Sequence, residues 1–232
     1  MYPMDGDNRC LQAVIFDFDY TLADSSRGAV QCINFALDRM GLPAVEGALA
    51  CKTIGLSLED TYLTLTGNQK ERAGEFERLF IEHAEEVMID LTSVFDWVPD
   101  VLRLISVAGL RLGIVSTKYR RRIEAILERE GLRDFFDVII GGEDVSKHKP
   151  HPEGLLAAVQ KLSVSSLSTL YVGDSVVDAR VAESGSVPFV AVLSGVTPRS
   201  HFEIYPAIAI LEDLRGLPAL LQTSRSPQTT GN

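Results

Sequence analysis

Positive charge is scarce in this chain: 22 lysines and arginines stand against 32 aspartates and glutamates, a net charge of −10. That balance argues against general affinity for nucleic acid or for an anionic membrane, since both reward basic surfaces. Cysteine is scarcer still. Cys10, Cys32 and Cys51 are odd in number and show no metal-ligand spacing, which points to reduced thiols in a cytoplasmic protein. Long apolar runs are missing too. No segment is long enough to span a bilayer, and the N-terminus lacks the basic-then-apolar pattern of a secretory signal. What remains is ordinary for a globular protein: 232 residues, 46% hydrophobic and 23% charged. That length suits one large domain, or a domain carrying a smaller insert.

One stretch concentrates chemistry. Val14, Ile15 and Phe16 form a short apolar run of the kind that makes a buried strand, and it leads directly into Asp17 and Asp19. In an extended chain, side chains at i and i+2 share a face. Two carboxylates on one face repel each other, and a hard cation such as magnesium relieves that. On this stretch alone a metal site and a solvated Asx-rich loop remain open alternatives.

Two more apolar runs end in polar residues. Leu112 to Val115 is followed by Ser116, Thr117 and Lys118. Leu170 to Val172 is followed by Gly173, Asp174 and Ser175, with Asp178 beyond; Lys147-His148-Lys149-Pro150 lies between the two runs. Open parallel sheets place ligands at the carboxyl ends of their strands. These motifs, in this order, resemble the haloacid dehalogenase-like hydrolase superfamily, and the Thr21-Leu22-Ala23-Asp24-Ser25 stretch resembles its phosphoglycolate phosphatase-like branch. The resemblance runs from about Val14 to Leu221.

The pattern between these motifs predicts the architecture. Helical spacing recurs at Val30, Ile33, Leu37 and Met40, at Leu58, Tyr62 and Leu65, and at Phe76, Leu79, His83 and Val87, with no strand-like run from Asp24 to Thr92. Asp24, Ser25 and Ser26 are N-cap candidates for the first of these helices. From Val98 onward, helix and strand alternate. Val101, Leu104, Ile105 and Ala108 mark a helix; Leu110–Val115, Phe136–Ile140, Leu170–Val172, Val187–Leu193 and Ala207–Leu211 read as strands. This predicts an α/β fold, a Rossmann-like parallel sheet with helices on both faces, interrupted by an all-helical insert. By resemblance the insert is a cap that closes over the active site. The expected division is a core of residues 10–23 and 93–222, a cap of 24–92 and a disordered tail of 223–232. Leu22 to Ser25 and Ser93 to Pro99 are the candidate hinges.

The resemblance also implies roles. Asp17 is the nucleophile and, with Asp174 and the backbone carbonyl of Asp19, a ligand to Mg²⁺. Asp19 is the general acid and base, Ser116 and Lys149 hold the phosphate, and Thr117 and Gly55 contact substrate. Asp178 acts through water or a hydrogen bond to a ligand. Lys149 is favoured over Lys147 because the family's lysine immediately precedes proline; His148 and His151 read as solvated loop residues. Thr21 is expected to bond a neighbouring backbone group. Tyr20 departs from the family, which most often has glycine there. Ile54-Gly55-Leu56 resembles the family's specificity loop, with an ordinary inter-helix turn as the alternative. The expected activity is Mg²⁺-dependent hydrolysis of small phosphorylated metabolites through an aspartyl-phosphate. A phosphosugar mutase of the β-phosphoglucomutase type is the alternative, and a non-catalytic metabolite-binding protein a weaker one. The expected partner is a small metabolite, with no nucleic acid and no membrane, for a monomer or homodimer.

Overall fold

The computed structural model describes residues 11–67 and 70–223. The expected loose lead-in before residue 11, Cys10 with it, lies outside them, as does the expected tail of 223–232 apart from Thr223, which ends a helix instead. The chain begins with β1 (Ala13–Phe16), then a two-residue β2 (Ala23–Asp24). Four helices follow: α1 (Ser26–Arg39), α2 (Gly47–Cys51), α3 (Leu58–Thr66) and α4 (Ala73–Val87). After β3 (Ser93–Val94) come α5 (Val98–Val107), β4 (Arg111–Val115), α6 (Arg120–Arg129) and β5 (Val138–Ile140). The chain continues through α7 (Glu153–Lys161), β6 (Thr169–Gly173), α8 (Val176–Gly185), β7 (Phe189–Val192), β8 (Ala207–Leu211) and α9 (Leu217–Thr223). Among the described residues no helix is long and apolar enough to cross a membrane.

Six strands form one sheet in the order β5-β4-β1-β6-β7-β8, every neighbouring pair parallel. The two-residue side-chain period of a strand then sorts the core into two layers. Val14 and Phe16 of β1 face one apolar cluster with Val101, Leu102 and Ile105 of α5, Ile123 and Ile126 of α6, and Leu217 of α9. Ala13 and Ile15 face the other, with Leu155 and Val159 of α7 and Val181 of α8. Both faces being covered explains why β1 reads as a continuous apolar run rather than an alternating one. Leu104 corrects the expected apolar face of α5. The buried stripe is Val98, Val101, Leu102 and Ile105, at helical spacing, and Leu104 falls off it, 57% exposed.

Helices α1 to α4 bury a third cluster of their own, around Ile33, Leu37, Tyr62 and Phe76. The insert leaves and rejoins the sheet side by side. β2 and β3 pair antiparallel, Ala23 opposite Val94 and Asp24 opposite Ser93, and the Phe95 amide donates to the Leu22 carbonyl. Two-residue strands are too short to show a period, so this ribbon left no signal in the sequence.

Candidate active site

The register of the sheet assembles the site. Phe16 at the end of β1 lies opposite Ile114 of β4 and Val172 of β6. The residues that follow, Asp17, Ser116 and Asp174, therefore emerge at one edge. The Asp17 amide donates to the Val172 carbonyl at 2.9 Å, which fixes that level. Asp17 and Asp174 are buried, 3% and 5% exposed. Carboxylate oxygens of Asp17, Asp174 and Asp178 lie within 4.8 Å of one another.

Lys149 is the cation among them. Its Nζ lies 2.9 Å from Asp17 Oδ1 and 2.7 Å from Asp178 Oδ1, and it sits over the ring of Tyr171. Lys147 takes no such position; its amide donates to Glu153. Asp178 is fully engaged. Its Oδ1 accepts from Lys149 and, at 2.9 Å, from the Tyr171 hydroxyl, while Oδ2 accepts from the amide and hydroxyl of Ser175. The Ser175 hydroxyl in return accepts from the Asp178 amide, closing a capping box at the start of α8. The fourth motif is thus partly a helix start. Its glycine is sterically required, because a Cβ on Gly173 would meet Asp178 at 2.5 Å. Gly195 has the same need: its Cβ would meet Asp174 Oδ2 at 1.9 Å, a role that no motif around it marks.

Crowding sets the electrostatics. Burial is the main cause that pushes the Asp17 carboxyl up to about 7; Lys149 pulls it down, while Asp178 and Asp19 push it further up. Burial, then Asp178 and Asp17, raise Asp174 well above the usual carboxylate range. Lys149 is held charged: burial works against its ammonium, but the attraction of Asp17 and Asp178 outweighs that. Three carboxylates share one lysine. The surplus negative charge, on hard oxygen donors, is what a divalent cation would neutralise.

Asp19 faces a different environment. Its Oδ1 accepts from Ser25 Oγ at 2.6 Å and lies 3.0 Å from Lys118 Nζ, whose side chain is only 6% exposed. Ser25 therefore does not cap α1 with its side chain, as expected of it; the Ser26 amide is taken by Asp24 Oδ1 instead. Thr21 also departs from expectation, its hydroxyl lying 3.5 Å from Asp174 Oδ1 as donor. Ser116 is buried, its amide bonded to the Ile140 carbonyl and its hydroxyl accepting from the Lys118 amide at 3.4 Å.

Asp19 opens onto a cavity of about 750 Å³, its mouth included, between the insert and the sheet edge. Thr117 and Lys118 line one side; Ile54, Gly55 and Leu56 line the other. The segment after α2 is thus both a turn between helices and a wall of the cavity. Gly55 needs its glycine for φ +95°. His148, expected as a loop residue, is exposed but lines this cavity as well, whereas His151 does not. Asp17, Asp174 and Lys149 do not line it. Lys118, Arg122 and Ser25 were missed as site residues, since nothing in their spacing shows which loop or helix face turns inward.

Tyr20 takes φ +59°, a left-handed conformation that costs a residue with a Cβ roughly 1 kcal/mol. Its buried hydroxyl is bonded to Cys51 at the end of α2, and Ser194 Oγ donates to its carbonyl at 2.5 Å. The ring therefore ties the loop after Asp19 to the insert.

A parallel sheet with a helical insert, and acidic residues at its carboxyl edge, describes a class of hydrolases. The family model of the haloacid dehalogenase-like hydrolases matches residues 14–192. A phosphoglycolate phosphatase of Yersinia pseudotuberculosis is 31% identical over 192 residues, covering 81% of this chain and 83% of its own. The phosphoglycolate phosphatase of Escherichia coli K12 is 28% identical over 233 residues, covering 90% and 92%. Among solved structures, a Bacteroides fragilis protein assigned to the haloacid dehalogenase-like hydrolases matches with a TM-score of 0.86 at 41% identity, over 89% of this chain and 99% of that one. The chain belongs to the haloacid dehalogenase-like hydrolase family.

Proposed function

We propose that the chain is a magnesium-dependent phosphatase of small phosphorylated metabolites that works through an aspartyl-phosphate on Asp17. The observation that carries this reading is the buried Asp17–Lys149–Asp178 constellation beside Asp174, set next to an Asp19 that faces a cavity. Family membership and the phosphoglycolate phosphatases among its relatives support it.

The donor set fits Mg²⁺. Asp17 and Asp174 would hold it, with the Asp19 carbonyl by family resemblance, while Asp178 has its oxygens taken and acts by holding Lys149. When bound, the ion neutralises charge on the transferred phosphoryl group. The residues supply the rest. Asp17 attacks phosphorus, and the bond to the ester oxygen breaks. Ser116 and the backbone of Thr117 donate to phosphoryl oxygens, and Lys149 adds fixed positive charge. Asp19 gives a proton to the departing alkoxide, then takes one from the water that attacks the aspartyl-phosphate and releases inorganic phosphate. Ser25 and Lys118 orient its carboxyl. With Asp17 only 3% exposed, admission of substrate calls for movement of the insert, residues 24–92, about the paired segments at β2 and β3.

The test is phosphate release from a panel of phosphorylated metabolites and an aryl phosphate, with magnesium or with chelator. Release on at least one substrate, abolished by chelator, is the expected result. No release from any would sink the reading, and isomerisation of a glucose 1-phosphate without release would favour a mutase.

A further inference from the structure

Arg122 has no part in the chemistry above, yet it lines the same cavity and is only 4% exposed. It is the third residue of α6. Its Nη2 donates to the Ile81 carbonyl and to Glu85, both on α4. Its Nε is buried and meets no acceptor among the described residues. A buried guanidinium N–H left without an acceptor is costly and therefore uncommon. The placement is costly in a second way. The first turn of α6 holds Arg120, Arg121 and Arg122 and no acidic residue, where the helix dipole disfavours cations. Arg120 and Arg121 answer exposed carboxylates, Asp144 and Glu85. Arg122 shares Glu85 and lies over the Tyr119 ring at 5.0 Å, but it also lines the cavity, beside Lys118 and the apolar side chains of Ile33, Phe80 and Met88. The acidic groups on that wall are Asp19, already engaged by Lys118, and Glu77, which is exposed to solvent.

We propose that Arg122 reads a second anionic group on the alcohol half of the substrate, a carboxylate or a second phosphate. The preferred substrates are then phosphate esters of small acids or diol bisphosphates rather than of neutral sugars or polyols. This rests on the phosphatase reading and names the substrate class for that site. A charge-assisted hydrogen bond in a cavity partly lined by apolar side chains is strong enough to discriminate between such esters.

The experiment compares kcat/KM on 2-phosphoglycolate, propanediol bisphosphate and ethyl phosphate for the wild type, Arg122→Lys, Arg122→Gln and Glu85→Gln. The wild type should prefer one of the two doubly anionic esters over ethyl phosphate by at least about tenfold, and which one identifies the anion. Both Arg122 substitutions should collapse that preference, mainly through KM. Glu85→Gln removes the tie to α4 but keeps the guanidinium, and should retain it. Should the Arg122 variants fail to fold, the wild type still decides: phosphonoacetate should inhibit aryl phosphate hydrolysis at least about tenfold more tightly than ethylphosphonate. Equal inhibition, a wild type indifferent to the second anion, or a Glu85→Gln variant that loses the preference equally would overturn the proposal while leaving the phosphatase reading intact. A wild type inactive on every ester, the aryl phosphate included, would overturn both.

Discussion

Lys149 reaches across 132 residues of sequence to place its Nζ 2.9 Å from Oδ1 of Asp17. The same ammonium holds Asp178 at 2.7 Å, so one buried cation compensates two buried carboxylates. Removing one partner of such a group strands the others. Lys149→Met, nearly equal in length but uncharged, should destabilise the metal-free protein by about 3–5 kcal/mol at pH 8. The loss should shrink at pH 6, where Asp17 takes up a proton. Urea unfolding at both pH values measures this; an unchanged midpoint would mean the lysine contributes nothing to the fold.

The crowded carboxylates make metal binding and pH interdependent. Asp17 is raised to about 7 and Asp174 well above its ordinary range, whereas both titrate near 4 in an unfolded chain. Between those values the folded state binds more protons than the unfolded one. The stability that Asp17 contributes is therefore fully present below about pH 4 and is lost as pH rises through about 7, and Asp174 acts in the same direction. On the proposed reading, magnesium bound at Asp17 and Asp174 takes the place of the protons. The gain in melting temperature on adding magnesium should thus be larger at pH 8 than at pH 5.5, and a gain that is larger at the acid pH would contradict the site.

Asp19→Asn separates proton transfer from nucleophilic attack. It leaves Asp17, Lys149 and Asp174 in place and removes the proposed proton carrier. Single-turnover phosphorylation by an aryl phosphate, whose leaving group needs little protonation, should fall at least about tenfold less than phosphorylation by an alkyl phosphate. Equal losses on the two would remove the acid role from Asp19.

Asp17→Asn is nearly isosteric and relieves carboxylate crowding, so the metal-free melting temperature should hold or rise. Turnover should drop more than about a thousandfold, since the proposed nucleophile and metal ligand are lost together. A variant within tenfold of wild type would contradict the assignment of Asp17.

How much of this was legible in the sequence follows from the range of each interaction. The strands were readable because burial on both faces makes most of them short apolar runs, edge strand β8 being only half-buried, and Asp17, Ser116 and Asp174 were readable because they follow such runs. Gly131 stands just past α6, where its φ of +68° ends the helix as glycine readily allows. Local hydrogen bonding was read less well. Ser25 looks like an N-cap but spends its hydroxyl on Asp19, because a buried carboxylate is the stronger acceptor. Thr21 points to Asp174, 153 residues away, for a reason no local window contains. The cavity wall was legible at Asp19, Thr117 and the Ile54-Gly55-Leu56 segment. Lys118 and Arg122 bound a stretch of four basic residues interrupted only by Tyr119, and charge alone does not say which of them faces inward.

The most direct measurement is on the covalent intermediate. The wild type is mixed with a phosphorus-labelled aryl phosphate and magnesium, quenched in acid within the first turnover, and digested for peptide mapping. Label should appear on the peptide containing Asp17, be released by hydroxylamine as an acyl phosphate is, and be missing from Asp17→Asn. A burst of released phenol with no label on the protein, or label on any other residue, would contradict nucleophilic attack by Asp17.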